Sequence, residues 1–230
     1  MLNHIEEDAW EGFTSWNHIL ANPRIKRDGS SLSWDNRVSK IIPDHMSPGD
    51  FLELIESRQY SFQNSIDGGV FQVYYCISPR TSLLSSARLA YYYPIHKATT
   101  ETTNDESMND EPIVDANVTT AESQSEPDSI GWLRLDYDPN NSSGLFHSTC
   151  HLHVGGFPSA RLPVKGVPST SQFIEFILCF VYPEEFKRHR LNEDGEYHAP
   201  SVLRRLSKPV IAMEDECCTD MITHLRTAGA

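Results

Sequence analysis

The sequence lacks any run of about 18 apolar residues, so no membrane-spanning helix is expected. Its first residues, MLNHIEEDAW, have neither the basic nor the apolar region of a secretory signal. These absences predict a cytoplasmic protein without a membrane association. Cysteine is scarce. The five cysteines (76, 150, 179, 217 and 218) form an odd set with no CxxC spacing, which argues against a disulfide framework and fits a reducing compartment. There is no GxSxG, no phosphate-binding glycine loop and no dinucleotide glycine pattern; Gly155-Gly156 reads as a turn. No internal repeat is visible, and no cofactor is expected.

Basic residues are missing from one long stretch. Residues 98–128 hold nine Asp and Glu and no Lys, Arg or aromatic residue. The whole chain has 32 acids and 19 bases, a net charge of -13, so the remainder carries 23 acids against 19 bases, a net of only -4. The low isoelectric point therefore does not argue against a nucleic-acid partner. Residues 98–128 cannot bury enough apolar surface to offset their ordering entropy. They read as an acidic disordered insertion between two strands, either a solvated spacer or an acidic partner-recruiting segment.

What is present reads as a single α+β domain over residues 1–230. Ile5, Ala9, Trp10, Phe13, Trp16 and Leu20 recur at three- and four-residue spacing, which predicts an amphipathic helix over 5–20. PRIKRDGSS reads as a turn. Ser47, Pro48 and Asp50 are start signals for a second helix, and Phe51, Leu52, Leu54 and Ile55 give it an apolar stripe. The period then changes to two. Residues 60–66 and 70–78 flank Asp67-Gly68-Gly69 as a hairpin. Strands follow at 86–95, 130–138, 148–156 and 160–166. SQFIEFILCFVY, capped by Ser169, Thr170 or Ser171 and ended by Pro183, is apolar nearly all round, so Phe176 and Leu178 are expected to be buried against the sheet. A last helix is expected near 214–226. The sum is an antiparallel meander of five or six strands with N-terminal helices and one covering apolar helix.

Strand alternation selects a candidate site. Residues i and i+2 share a face. If Leu133, Leu135, Tyr137, Cys150, Leu152, Val154, Leu162 and Val164 face the covering helix, then Arg134, Asp136, His151, His153 and Arg161 share the other face. Short connections make these strands expected neighbours. His151 and His153 could serve as base and acid in metal-independent phosphodiester cleavage, with Asp136 fixing a tautomer and Arg134 or Arg161 holding the phosphoryl charge. The same five residues could instead form a binding face for protein, RNA or DNA. They also suit an ordinary wet sheet face. On this reading His151 and His153 are exposed, and their replacement by Ala leaves folding unharmed.

A metal site is not expected. Structural zinc needs four ligands in a tetrahedron. His147, Cys150, His151 and His153 crowd one stretch, but alternation points Cys150 away from His151 and His153. Cys217-Cys218, with His224 nearby, read as buried small hydrophobes. Two basic clusters, Lys187-Arg188-His189-Arg190 and Arg204-Arg205-Lys208, suit phosphate contacts or ordinary solvated surface.

The run WLRLDYDP, then HLH, then R-L-P, then FIEFILCFVY resembles the bacterial domain of unknown function 2290 family. Arg134, Asp136, Tyr137, Asp138, Pro139, His151, His153, Arg161, Pro163, Phe173, Phe176 and Tyr182 match its pattern, over about a quarter of the chain. The N-terminal half is similar in its order of elements. The resemblance implies a bacterial intracellular protein from a mobile-element or phage-defence locus, and it brings no activity with it. The expectation is therefore a binding or regulatory module that engages a protein or nucleic acid partner; the alternative is a metal-independent ribonuclease or toxin-like enzyme using His151 and His153.

Overall fold

A computed structural model of the chain describes residues 1–34, 46–96, 127–141, 149–155, 161–164 and 166–190. It is α+β. In chain order the elements are α1 (Leu2–Ser15), β1 (Leu20–Ala21), β2 (Lys26–Asp28), β3 (Ser31–Ser33), α2 (Pro48–Glu56), β4 (Phe62–Asn64), β5 (Val70–Ile77), β6 (Leu84–Ile95), β7 (Ser129–Tyr137), a 3-10 turn at Pro139–Asn141, β8 (Cys150–Val154), β9 (Leu162–Pro163), α3 (Thr170–Val181) and α4 (Pro183–Arg190). One antiparallel sheet runs β1-β4-β5-β6-β7-β8-β9, with β3 also paired to β5 and β2 to β3. The expected meander is its spine, since β4 to β9 are neighbours in sequence order. The turn expected at PRIKRDGSS is a small hairpin, β2 and β3 (from Lys26 to Ser33), reversed at Gly29 with φ 57. No helix among the described residues is long and apolar enough to cross a membrane.

The helix expected over 5–20 is α1, Leu2–Ser15, and Leu20 lies in β1 instead; α2 and α3 start where the sequence places them. Ser47 accepts from the Asp50 amide while the Asp50 carboxylate accepts from the Ser47 amide, a reciprocal cap that satisfies two orphan donors of α2. Ser169 and Gln172 do the same for α3. Asp8 of α1 reaches across to this second cap. Its carboxylate accepts from Ser169 Oγ at 2.8 Å and from the Ser171 amide at 3.0 Å. A negative charge there also complements the positive end of the α3 dipole. Gly12 lets the two helices touch, because a Cβ on it would lie 2.9 Å from the Ser171 Cα.

The apolar residues sort onto two faces. Phe71, Val73, Tyr75, Leu89, Tyr91, Leu133, Leu135 and Tyr137 turn toward α1, α3 and α4, where they meet Ile5, Ala9, Phe173, Ile174, Ile177, Leu178 and Phe186. A smaller cluster lies on the other face, where Phe51 and Leu54 of α2 cover Val70, Ala90, Tyr92 and Trp132. The covering helix is less enclosed than its composition suggests. Leu178 is buried, but Phe176 is only half-buried and Phe180 is 72% exposed. A helix in a single layer on a sheet still has an outer side, and Phe176 and Phe180, one turn apart, lie on that of α3 with ring centroids 5.6 Å apart.

The ends of the acidic insertion meet. Ile95 pairs with Ser129, and the Asp128 amide donates to the Ile95 carbonyl at 3.0 Å. Residues 97–126 lie outside the described residues, as does the helix expected near 214–226. Joined ends of this kind need only a short connection, since loop closure depends weakly on length. Deleting residues 100–127 and bridging the gap with a short Gly/Ser link should leave the melting temperature within a few degrees; a larger fall would show that the insertion packs on the domain.

Candidate functional site

The α2 face of the sheet carries two polar rows. The odd-numbered residues of β5 enter the main core, which leaves Gln72 and Tyr74 on the opposite side. Alternation does the same for Arg88 and Ala90 of β6, Arg134 and Asp136 of β7, and His151 and His153 of β8. Register then aligns them. Tyr74 stands opposite Arg88, Arg88 opposite Asp136, and Asp136 opposite His151. The next row is Gln72, Ala90, Arg134 and His153. All of these but Ala90 line a cleft of about 650 Å³, together with Trp34, Asp138 and Arg161.

Asp136 is the centre of the arrangement. Arg88 Nε donates to its Oδ1 at 2.8 Å, and Arg134 Nε to its Oδ2 at 2.8 Å. His153 Nε2 lies 3.5 Å from the same Oδ2. The His151 and His153 rings meet edge to face, 4.7 Å between centroids. The Arg134 guanidinium carbon stands 5.6 Å from the centre of the Trp132 ring, within range of a cation–π contact. Burial would raise the Asp136 carboxyl, but the Arg88 and Arg134 guanidiniums outweigh it and hold the group below its ordinary range. Burial, reinforced by Arg134, pushes His153 down to about 4, so its imidazole is neutral at neutral pH. The nearby carboxylate places the remaining proton on Nε2. Nδ1 is then an acceptor, and it has no hydrogen-bond partner.

Four of the five residues singled out by alternation converge as expected: Arg134, Asp136, His151 and His153. Arg161 lines the same cleft as an exposed residue at its rim. The expectation of exposed histidines is overturned, because His151 is 3% and His153 2% exposed. They lie in the floor of a recess between large neighbours, not on a flat wet face. Substituting either by Ala therefore removes buried volume. Sequence reasoning missed Arg88, Gln72, Tyr74 and Trp34. Arg88 had a usable signal, as the single charge in an otherwise uncharged strand, but the long insertion separates it from Asp136 in sequence.

Asp136, His151 and His153 also bring three ligand-type atoms within 4.8 Å of one another. That spacing alone suits a divalent cation. The charges do not. Both Asp136 oxygens already accept from guanidiniums, so a cation would meet two fixed positive charges beside its one anionic ligand. The set fits an anion better. Cys150 points into the main core, away from the histidines. His147, Cys217, Cys218 and His224 lie outside the described residues. In the α4 cluster, Lys187 pairs with Glu184 at 2.8 Å and Arg188 with Glu185 at 3.4 Å, while the His189 ring packs against those of Trp16 and His18.

The family model for an uncharacterized conserved protein, DUF2290, matches residues 18–227. The chain belongs to this family. The match begins after α1 and takes in the rest of the N-terminal half, so it extends well beyond the 132–182 stretch that first suggested it. No curated protein and no solved structure is significantly similar to the chain. Within the R-x-D-Y-D-P run of this DUF2290 member, Arg134 and Asp136 face the cleft and Tyr137 enters the core. Asp138 starts the following turn, where its carboxylate accepts from the Asn140 amide at 3.1 Å. In the H-L-H run both histidines face the cleft, and Leu152 packs on the core.

Proposed function

We propose that this chain is a binding module that takes a phosphate group of a nucleic acid into the cleft on the α2 face. The observation that carries the reading is the Arg88–Asp136–Arg134 cluster, in which Asp136 and Arg134 are buried and Arg88 is half-buried. Three guanidiniums (Arg88, Arg134 and Arg161) line the cleft against two carboxylates, Asp136 and Asp138, an excess of positive charge in a chain of net -13. Asp136 uses the Nε of Arg88 and so fixes that guanidinium without occupying its terminal nitrogens. A fixed, partly desolvated guanidinium fork is the side chain best matched to phosphate oxygens. Arg161 at the rim adds a solvated contact that steers and positions. Such a module suits a component of a cytoplasmic phage-defence or mobile-element system that meets foreign nucleic acid; an acidic protein segment is the competing partner.

A second reading is favoured by His153. A neutral imidazole with an open Nδ1 is a competent general base. It could take the proton of a ribose 2′-hydroxyl, whose oxygen would bond to phosphorus as the P–O5′ bond breaks. His151 would protonate the leaving oxygen. The products would be a cyclic phosphate and a 5′-hydroxyl end, with no metal required.

One titration addresses both readings. Wild type should bind single-stranded oligonucleotides in chelator. Arg161→Ala should weaken binding several-fold and lower the salt slope by about 1, without a change in melting temperature. Absence of binding by the wild type would end the nucleic-acid reading. RNA cleavage in chelator that is lost in both His151→Ala and His153→Ala would establish the enzyme reading instead.

A further inference from the structure

A phosphate alone cannot complete this cleft. Phosphate oxygens bring lone pairs, whereas two of the buried groups in the cleft floor are themselves short of a donor. His153 is 2% exposed and its Nδ1 has no partner. Gln72 is 1% exposed; its Nε2 donates to the Gln59 carbonyl, which fixes the orientation of the amide and leaves Oε1 as an acceptor without a partner. Both residues line the cleft. Buried acceptors without donors are costly, so a ligand that supplies hydroxyl or amino hydrogens gains more here than on an open surface.

The positions of the two groups differ in what they can read. His153 and Arg88 both approach Asp136, at 3.5 Å and 2.8 Å. A phosphate held by Arg88 therefore lies close to the His153 ring. In RNA the donor nearest a 3′-phosphate is the 2′-hydroxyl, carried on the adjacent ribose carbon. Gln72 stands in the same cross-strand row as His153, three strands away, or about 14 Å at ordinary strand spacing. Arg134, which stands beside His153 in that row, lines the cleft with both of them. That span suits a nucleotide lying along the row with its base toward β5.

We propose that the cleft is selective for ribonucleotides, with His153 Nδ1 accepting from a 2′-hydroxyl and Gln72 Oε1 from a base amino group. This rests on the nucleic-acid reading above and names the class that the site prefers. His153 and Gln72 are thereby specificity-determining residues. Both acceptors lie just beneath the cleft surface, so seating the ligand includes a small side-chain adjustment at each, as is common at interfaces.

The test is a fluorescence-anisotropy titration of full-length protein in chelator. The probes are short single strands of one mixed sequence, made as RNA, as DNA and as 2′-fluoro RNA, which keeps the ribose pucker but has no 2′ donor. RNA should bind about tenfold more tightly than DNA, the effect of roughly one well-placed hydrogen bond to an otherwise unpaired buried group. The 2′-fluoro strand should bind like DNA. His153→Phe should bring the ratio of RNA to DNA affinity from about ten to near one. Arg161→Ala should weaken all three probes by one factor. If 2′-fluoro RNA matches RNA, or if RNA and DNA bind alike, the sugar is not read and this inference is overturned while the nucleic-acid reading stands. If no probe binds, the nucleic-acid reading itself fails. The 2′-fluoro comparison uses the wild-type protein, so it decides the matter even if His153→Phe does not fold.

Discussion

Replacing Asp136 with Ala is expected to destabilise the fold by about 3–5 kcal/mol, the usual result of removing one partner from a buried ion pair. The reason is the charge left behind. Arg134 is 5% exposed, and without Asp136 its guanidinium stays in the sheet beside that of Arg88 with no carboxylate between them. Asp136→Asn keeps the shape and one acceptor, so it should lie between wild type and the Ala variant. Urea denaturation measures the differences directly; a loss below about 1 kcal/mol for Asp136→Ala would show that solvent screens the pair as it screens surface pairs. The same cluster sets the acid response. The folded-state pKa of His153 is depressed to about 4 from 6.5, so on acidification the unfolded chain binds this proton first. Stability should be at its full value above about pH 6.5 and should fall as the pH drops from there toward about 4. Asp136 is also depressed, from 3.8, so its contribution is present above that value and is lost as the pH falls further, through its folded pKa. His153→Phe should shrink the upper stage, leaving the share of His189, whose pKa burial also lowers, and should keep the lower one.

Phe173→Ala is the second large effect, expected at about 3–5 kcal/mol for a fully buried aromatic. Phe173 is 1% exposed and meets Phe71 of the sheet edge to face, with centroids 6.4 Å apart. Phe176→Ala should cost less than half as much, because that ring is only half-buried. Thermal or chemical denaturation of the two variants side by side gives the order. If Phe176→Ala proves the more damaging, the outer side of α3 is covered in solution by something that these contacts do not include.

The two phenylalanines show what could be read in advance. Binary pattern placed α3, its Ser169 cap and the alternation of β7 and β8, because each depends on neighbours within a few residues. A helix that is apolar nearly all round hides which side meets the sheet, so Phe173 and Phe176 were not separable by pattern. The candidate site was legible along β7 and β8 for the same local reason: Arg134, Asp136, His151 and His153 follow from a period of two. Arg88 and Gln72 were not, since they belong to strands beyond a 31-residue acidic stretch and a separate hairpin, and only register brings them to Asp136 and His153. Burial was misjudged because alternation states which face a side chain takes, not whether that face is recessed. β1 to β3, two or three residues each, are too short to carry a period at all.

The reach of Asp8 to the start of α3 fixes the order in which the molecule can be completed. Ser169 and Asp8 are 161 positions apart. At about 5–20 residues per second during synthesis, roughly 8–30 s pass between the emergence of α1 and that of the serines it caps. An isolated helix of 14 residues is marginal in water. Leu2, Ile5 and Trp16 therefore lack part of their shelter until α3 and α4 arrive, Trp16 stacking on Phe186 of α4. α1 is made long before it is fully secured, and a chain that stops short of residue 169 leaves it only its contacts with the sheet, such as Phe13 on Phe62.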